Sequence, residues 1–243
     1  MFYLYNGDCF ELMKGIKDHS IDLIITDPPY EISVKNPGGR GMDIASKMKS
    51  VADANITEGY DIEKFGNEAL RIMKEPNIYF WCNKIQIPAY FDFWVTKHKC
   101  KFDIICWHKG NALPTFSNKY LTDTEYCLYF RKGKGKCFPQ SYEDAKTFYI
   151  APINQKDKKL YGHPTPKPVD IIERLVRNSS REGDFVLDTF MGSGSTGEAC
   201  IKNNREFIGM ELNETFFNTA YNRLLNCWNL KQSEETTNGE IVL

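Results

Sequence analysis

Asp27-Pro28-Pro29-Tyr30 concentrates chemistry in four residues. The two prolines fix their own φ and carry no backbone N–H, so the turn presents carbonyls and few donors. An ionised aspartate likewise only accepts hydrogen bonds. Beside them Tyr30 offers an aromatic plate. Together they form a small acceptor-rich pocket suited to a planar group that carries an amino nitrogen. Such a nitrogen is a poor nucleophile, because its lone pair is delocalised into the ring. Two acceptors, the Asp27 carboxylate and the Pro28 carbonyl, would grip its N–H bonds and favour a pyramidal nitrogen, with Tyr30 stacked on the ring. Positioning and electrostatics would then supply most of the catalysis. The plain alternative is a tight turn that ends a strand.

A second constellation lies far along the chain. The apolar run Phe185-Val186-Leu187-Asp188 leads into Thr189-Phe190-Met191-Gly192-Ser193-Gly194-Ser195-Thr196-Gly197, and a helical pattern follows. Gly192, Gly194 and Gly197 have the G-x-G-x-x-G spacing, and the next strand ends in Glu211. Glycines let a ligand approach the backbone, and a carboxylate ending the second strand can hold both ribose hydroxyls. This pattern says nucleoside cofactor. A plain dinucleotide fold begins at this fingerprint and needs further strands after it, whereas only 32 residues (243 minus 211) follow Glu211. The rest of the sheet must therefore come from the N-terminal part, with the helix at 214–229 handing over in space to a strand at 3–5. The order is circularly permuted. It sets the strand at 21–26 beside the one ending in Asp188, so the Asp27 turn faces the cofactor. A single nucleoside suits this arrangement better than a pyrophosphate.

Positioning these turns requires an α/β domain. Short β-rich runs at 3–5, 21–26, 77–82, 102–107, 125–130, 184–188 and 206–210 alternate with helical patterns at 9–16, 58–73, 85–98, 169–178, 196–203 and 214–229. That reading gives one catalytic domain over 1–243, with a loop at 31–57 placed to close over the site and a disordered tail from about 231. Composition is ordinary for a globular chain, at 42% hydrophobic and 26% charged residues with a net charge of −1. No apolar run reaches the length of a membrane span, and the first residues lack the pattern of a signal peptide, so a cytoplasmic location is expected. The eight cysteines show no zinc-knuckle or redox spacing and read as reduced, buried thiols. No metal is expected. His108 is assigned no chemistry.

On these motifs the chain resembles the β-class DNA amino-methyltransferases, whose order runs catalytic motif, target-recognition region, cofactor motif. The likeness covers nearly the whole chain and implies a Rossmann-like S-adenosylmethionine-dependent methyltransferase fold. That fold would be a seven-stranded, mostly parallel sheet with one antiparallel strand and helices on both faces. Asn6-Gly7-Asp8-Cys9 resembles the segment that meets the cofactor's adenine, suggesting Asp8 and its neighbour Cys9. His163-Pro164-Thr165-Pro166-Lys167-Pro168 resembles the segment whose lysine meets the methionine carboxylate, suggesting Lys167. The run Val186 to Gly194 matches the Asp-x-Phe-x-Gly-x-Gly motif, except that Thr189 stands where the family often has proline. It would place Phe190, Gly192, Ser193, Gly194, Ser195 and Thr196 around the cofactor and Glu211 on its ribose. Asp188 is either a turn former or a partner for the cofactor's ammonium, and Asp8 alone could be a helix cap.

The resemblance further implies double-stranded DNA as substrate, with the target base flipped out. Asp27 points to the N(6) amino group of adenine, because the family's cytosine N(4) enzymes more often carry serine there. Cytosine is the alternative, and RNA or protein amide methylation a more distant one. Residues 131–166 occupy the recognition slot, with Arg131, Lys132, Lys134, Lys136, Tyr142, Tyr149, Lys156, Lys158, Lys159 and Tyr161 as contacts, joined by the loop at 108–124. Their short span implies a compact loop set or a homodimer, and such an enzyme can have a separate cognate restriction endonuclease.

Overall fold

Largely apolar runs place the central strands. Leu23–Thr26 (β2) and Asn77–Cys82 (β3) are buried along their whole length, as strands covered on both faces must be. The computed structural model describes residues 1–29, 61–112, 120–134 and 136–239. Six further strands complete one sheet: β1 (Phe2–Asn6), β4 (Lys101–Lys109), β5 (Thr124–Arg131), β6 (Phe148–Ala151), β7 (Phe185–Asp188) and β8 (Glu206–Glu211). Their order is β1-β8-β7-β2-β3-β5-β4-β6. All neighbours are parallel except where β5 runs against β3 and β4.

The permuted order expected from the motifs is present. β1 lies beside β8, with Phe2 opposite Phe207, and β2 lies beside β7, with Leu23 opposite Val186. The sheet has eight strands, one more than the expected seven. The addition is β6, parallel to β4 at the sheet edge, whose four residues alternate exposed and half-buried. So short and half-wet a run carries little hydrophobic signal. It lies inside 131–166, so that segment is built into the sheet.

Side chains alternate across the central strands and feed two apolar layers. Ile24, Ile78 and Phe80 face α1 (Cys9–Met13), α2 (Ile62–Ile72) and α3 (Ile87–Phe91), meeting Met13, Phe65 and Tyr90. A π-helical turn, Asp92–Lys97, extends α3 and buries both Phe93 and Trp94. Two short helices, α4 (Tyr142–Ala145) and α5 (Gln155–Tyr161), flank β6. The opposite face carries α6 (Val169–Ser179), α7 (Ser195–Lys202) and α8 (Glu214–Gly239), where Leu23, Ile25 and Trp81 meet Ile172, Ala199 and Leu224. Each large apolar side chain so buried contributes roughly 1.5–3 kcal/mol.

Two expectations about loops have different outcomes. The loop at 31–57 lies outside the described residues. The disordered tail expected from 231 is instead helical as far as Gly239. Lys231 is the physical reason at its start: its ammonium bonds the Ile201 carbonyl at 2.5 Å and the Asn204 side chain, a cation at the end of α7. All eight cysteines are unbridged, and Cys137 is exposed rather than buried.

Helix packing by itself requires two glycines of the fingerprint. Gly194 adopts φ +82°, and a Cβ there would lie 2.6 Å from Leu224. A Cβ on Gly197 would lie 2.4 Å from Leu224 and 2.7 Å from Phe207. Gly197→Ala should therefore destabilise the fold by about 1–3 kcal/mol through overpacking. Urea unfolding measures this; an unchanged midpoint would show that α7 and α8 can part without loss.

Candidate active site

In an open α/β sheet ligands bind beyond the carboxyl ends of the strands, where the chain leaves neighbouring strands in opposite directions. Here that point lies between β7 and β2. From β7 the chain passes through α7 to β8 on one side, and from β2 through α2 to β3 on the other. The Thr26 and Thr189 hydroxyls, 2.9 Å apart and buried, tie the two strand ends together. Asp27, Lys167, Asp188, Phe190, Gly192, Ser193, Ser195 and Thr196 line one open cleft of about 370 Å³ at this point. The two motifs, separated by 163 positions at their threonines, thus share one cavity.

On the β2 side, Asp27 pairs with Lys167, which comes from the turn before α6. The Lys167 side chain is only 6% exposed, so its charge needs partners inside the protein. Glu125 of β5 is the second, at 3.4 Å, and the Trp81 ring lies 5.4 Å below the ammonium. Burial works against the Lys167 charge, but Asp27 and Glu125 outweigh it and raise its pKa. Burial would likewise raise Glu125, yet Lys167 and Lys109 hold its carboxyl below the usual range. Lys109 of β4 pairs with the other Glu125 oxygen. Charges therefore alternate along Lys109, Glu125, Lys167 and Asp27. The turn is braced from the other side by buried Gln86, whose Nε2 donates to the Pro29 carbonyl at 3.0 Å. Tyr30 lies outside the described residues.

On the β7 side, Asp188 accepts from the Phe190 N–H at 3.1 Å and from the Thr196 hydroxyl at 2.6 Å. Burial dominates these bonds and pushes its carboxyl up to about 7. At the end of β8, Glu211 accepts from the Gly192 N–H at 2.9 Å and the Asn213 N–H at 2.8 Å. Burial raises its pKa as well. An ionised carboxylate has room for about four hydrogen bonds, so both oxygens retain acceptor capacity. Asp8 caps α1, accepting from Phe10 N–H at 2.8 Å and Glu11 N–H at 3.2 Å. The Cys9 side chain packs into the core under α1, where burial pushes its thiol up to about 12. Its backbone is the part left to meet a ligand.

Sequence reasoning missed Glu125, Gln86, Trp81, His163 and Arg223. Glu125 left one signal: an acid heading the apolar run Tyr126–Phe130 needs a partner. His163 is buried against Phe216, 4.6 Å between ring centres, and burial with nearby Lys167 pushes it down to about 4. It is neutral at physiological pH.

The basic residues of the expected recognition slot separate. β5 runs backwards, so Glu125 stands at the cleft end and Arg131 opposite Asn77, at the far end of β3. Six residue steps along the strand put roughly 20 Å between those ends, at about 3.3 Å per residue. Arg131 pairs there with Asp103 at 2.5 Å and Lys136 with Glu75 at 3.6 Å. Sequence adjacency could not reveal the strand's direction. Lys156, Lys158 and Lys159 belong to α5 instead, which lies beside the glycine-rich turn. Arg223 makes that connection, binding Asp157 of α5 at 3.1 Å, Glu198 at 2.6 Å and the Ser193 carbonyl at 3.3 Å.

Among the described residues no group of His, Cys, Asp and Glu side chains is placed to hold a metal ion, and no helix is long and apolar enough to cross a membrane. Residues 21–222 match the family model described as DNA methylase (N6_N4_Mtase). The chain is 31% identical over 238 residues to the type II methyltransferase M2.LlaDCHI of Lactococcus lactis subsp. cremoris, covering 91% of this chain and 88% of that protein. To M2.DpnII of Streptococcus pneumoniae it is 30% identical over 239 residues, covering 91% and 88%. The crystal structure of the M1.HpyAVI–SAM complex matches with a TM-score of 0.66 at 27% identity, covering 92% of this chain and 100% of that one.

Arg223 is almost wholly buried and lies 4.0 Å over the Tyr161 ring, between two carboxylates. Arg223→Met removes the charge and strands both acids, which should lower stability by about 3–5 kcal/mol. Denaturant unfolding measures it; a loss under about 1 kcal/mol would place the pair in the weak class of exposed salt bridges.

Proposed function

This chain belongs to the DNA methylase family, and from that membership we propose that it methylates the N(6) amino group of adenine in double-stranded DNA, with S-adenosylmethionine as donor. The observation that carries this reading is the shared cleft, where the Asp27 turn and the glycine-rich turn meet across the β2–β7 joint. When bound, S-adenosylmethionine supplies a methyl group made electrophilic by its sulfonium.

The residues fit that group. Glu211 offers acceptors for ribose hydroxyls, Asp8 and the Cys9 backbone flank the end of β1 beside it, and Phe190 presents a ring to the cleft. Lys167 and Asp188 supply opposite charges for the carboxylate and ammonium of the methionine end. Gly192, Ser193, Gly194, Ser195 and Thr196 form the turn over which it lies. In the catalytic turn, Gln86 occupies the Pro29 carbonyl, and the Asp27 carboxylate and Pro28 carbonyl are assigned to the two amine N–H bonds. Tyr30 is assigned to stack on the flipped base, offsetting part of the few kcal/mol that flipping requires. The α5 lysines are assigned to phosphates, where they contribute affinity without sequence information. A cytoplasmic location, a homodimer and a cognate restriction endonuclease belong to the same reading.

Asp27→Ala should abolish transfer while S-adenosylmethionine still binds in calorimetry. Nucleoside analysis of DNA methylated by the wild type should show N(6)-methyladenine. Methylcytosine alone would replace the base assignment, and methylation of RNA or protein in place of DNA would replace the substrate class.

Asp188 makes cofactor affinity pH-dependent. Its carboxyl titrates near 7, so below that pH it is protonated and cannot pair with an ammonium. Affinity should rise with pH up to about 7, by at most about tenfold per unit, and then level off. Asp188→Asn should flatten the profile at the weak, acidic limit; a wild-type profile already flat from pH 6 to 8 would remove Asp188 from the ammonium site.

A further inference from the structure

We propose that Glu125 is a positioning residue for methyl transfer, holding the Lys167 ammonium between two carboxylates so that Asp27 keeps its strength as an acceptor. The proposal rests on the assignment of Asp27 to the amine. Glu125 lies on the one antiparallel strand, and only that direction brings its side chain to the cleft end of the sheet. There its Oε2 is fully buried and 3.4 Å from Lys167.

The physical problem is one of competition. A carboxylate that must grip an amine loses acceptor strength when an ammonium neutralises it. Lys167 is buried and meets Asp27 through Oδ2. With Asp27 as its sole anion, such an ammonium would direct all of its pairing at that one carboxylate, since a buried charge requires partners. Glu125 pulls the same ammonium the other way. An ammonium carries its charge at one point, so a carboxylate on β5 and another on the turn after β2 together constrain where it sits. Lys109 completes the set: it pairs with Glu125 Oε1, lies 5.1 Å over Trp107, and brings the four-residue chain to zero net charge. Trp81 closes the space below the Lys167 ammonium. Lys109, Glu125 and Trp81 sit on strands, Asp27 directly follows β2, and Lys167 lies in the Pro166-Lys167-Pro168 turn.

Glu125→Gln keeps the shape and removes the charge. The decisive measurement is the single-turnover rate of methyl transfer with S-adenosylmethionine and DNA both saturating, beside the dissociation constant of each. E125Q should lower the rate on the order of 10²-fold, the scale expected when a reacting group is misplaced. Both dissociation constants should stay within about threefold, because Glu125 is assigned to neither ligand and Lys167 keeps its charge. Glu125→Asp restores the charge at a shorter reach and should recover about half of the loss on a logarithmic scale. A rate in E125Q within about twofold of wild type overturns the proposal, as does a loss matched by an equal loss of affinity for either ligand. Should E125Q fail to fold, E125D decides alone: a rate about tenfold down supports the proposal and an unchanged rate overturns it. If Asp27→Ala abolishes transfer and E125Q does not slow it, only the role of Glu125 falls. If the wild type methylates no DNA, the assignment of Asp27 falls with it.

Discussion

Parallel pairing between β2 and β7 is the joint on which the site depends. Leu23 opposite Val186 and Ile24 opposite Leu187 bring together two strands that lie more than 160 positions apart. Backbone hydrogen bonds and two-sided burial hold them in one register, because a slip by a single residue would turn each strand's core face toward the wrong layer. With that register set, the turns after Thr26 and Asp188 have nowhere to go but the same cleft. The Thr26–Thr189 contact then locks the ends. Catalytic acceptor and cofactor turn are neighbours by construction, and neither turn has to be long or mobile to reach the other.

Around the joint the fold solves a problem of buried charge. Lys167 and Arg223 are both cations inside the protein, and each is held between two acids. They differ in what they bind together. Arg223 ties α5 to the glycine-rich turn and makes a scaffold of it. Lys167 ties the Asp27 turn to the outer strands, so its pairing sets the electrostatics of the reacting end. His163, kept neutral by its burial, fills the space beside Gly192 without adding to that charge.

Much of this was legible in the sequence, for physical reasons that can be named. β2 and β3 are apolar except for Thr26 and Asn77 at one end of each, and the prolines end the first of them visibly. The permutation followed from counting: too little chain remained after Glu211 to finish a sheet. What was not legible depended on direction or on distant partners. Glu125 acquires meaning only from Lys167, 42 positions away, and from the reversal of β5. Arg131 reads as part of a basic recognition segment until that same reversal carries it to the far end. β6 escaped because half of its residues face outward. The packing role of the fingerprint's glycines was also out of reach, since Gly194 and Gly197 make room for Leu224, a residue of a later helix. Lys231 looked like the start of a solvated tail, and the carbonyl it meets belongs to another helix.

The reversed strand also bears on how the gene can vary. β5 meets the site through its first residues and the opposite rim through its last, and Cys127, Leu128, Tyr129 and Phe130 between them are fully packed. Codons can be gained or lost before Thr124 or after Arg131 while the ladder stays in place. Within the strand, the loss of one codon inverts every later side chain between core layers and separates Glu125 from its pairing row. Length changes in related genes should therefore gather at the two ends of this strand and leave its eight positions as a block. Descent would then preserve the interval from Glu125 to Arg131 more strictly than the identity of most residues inside it.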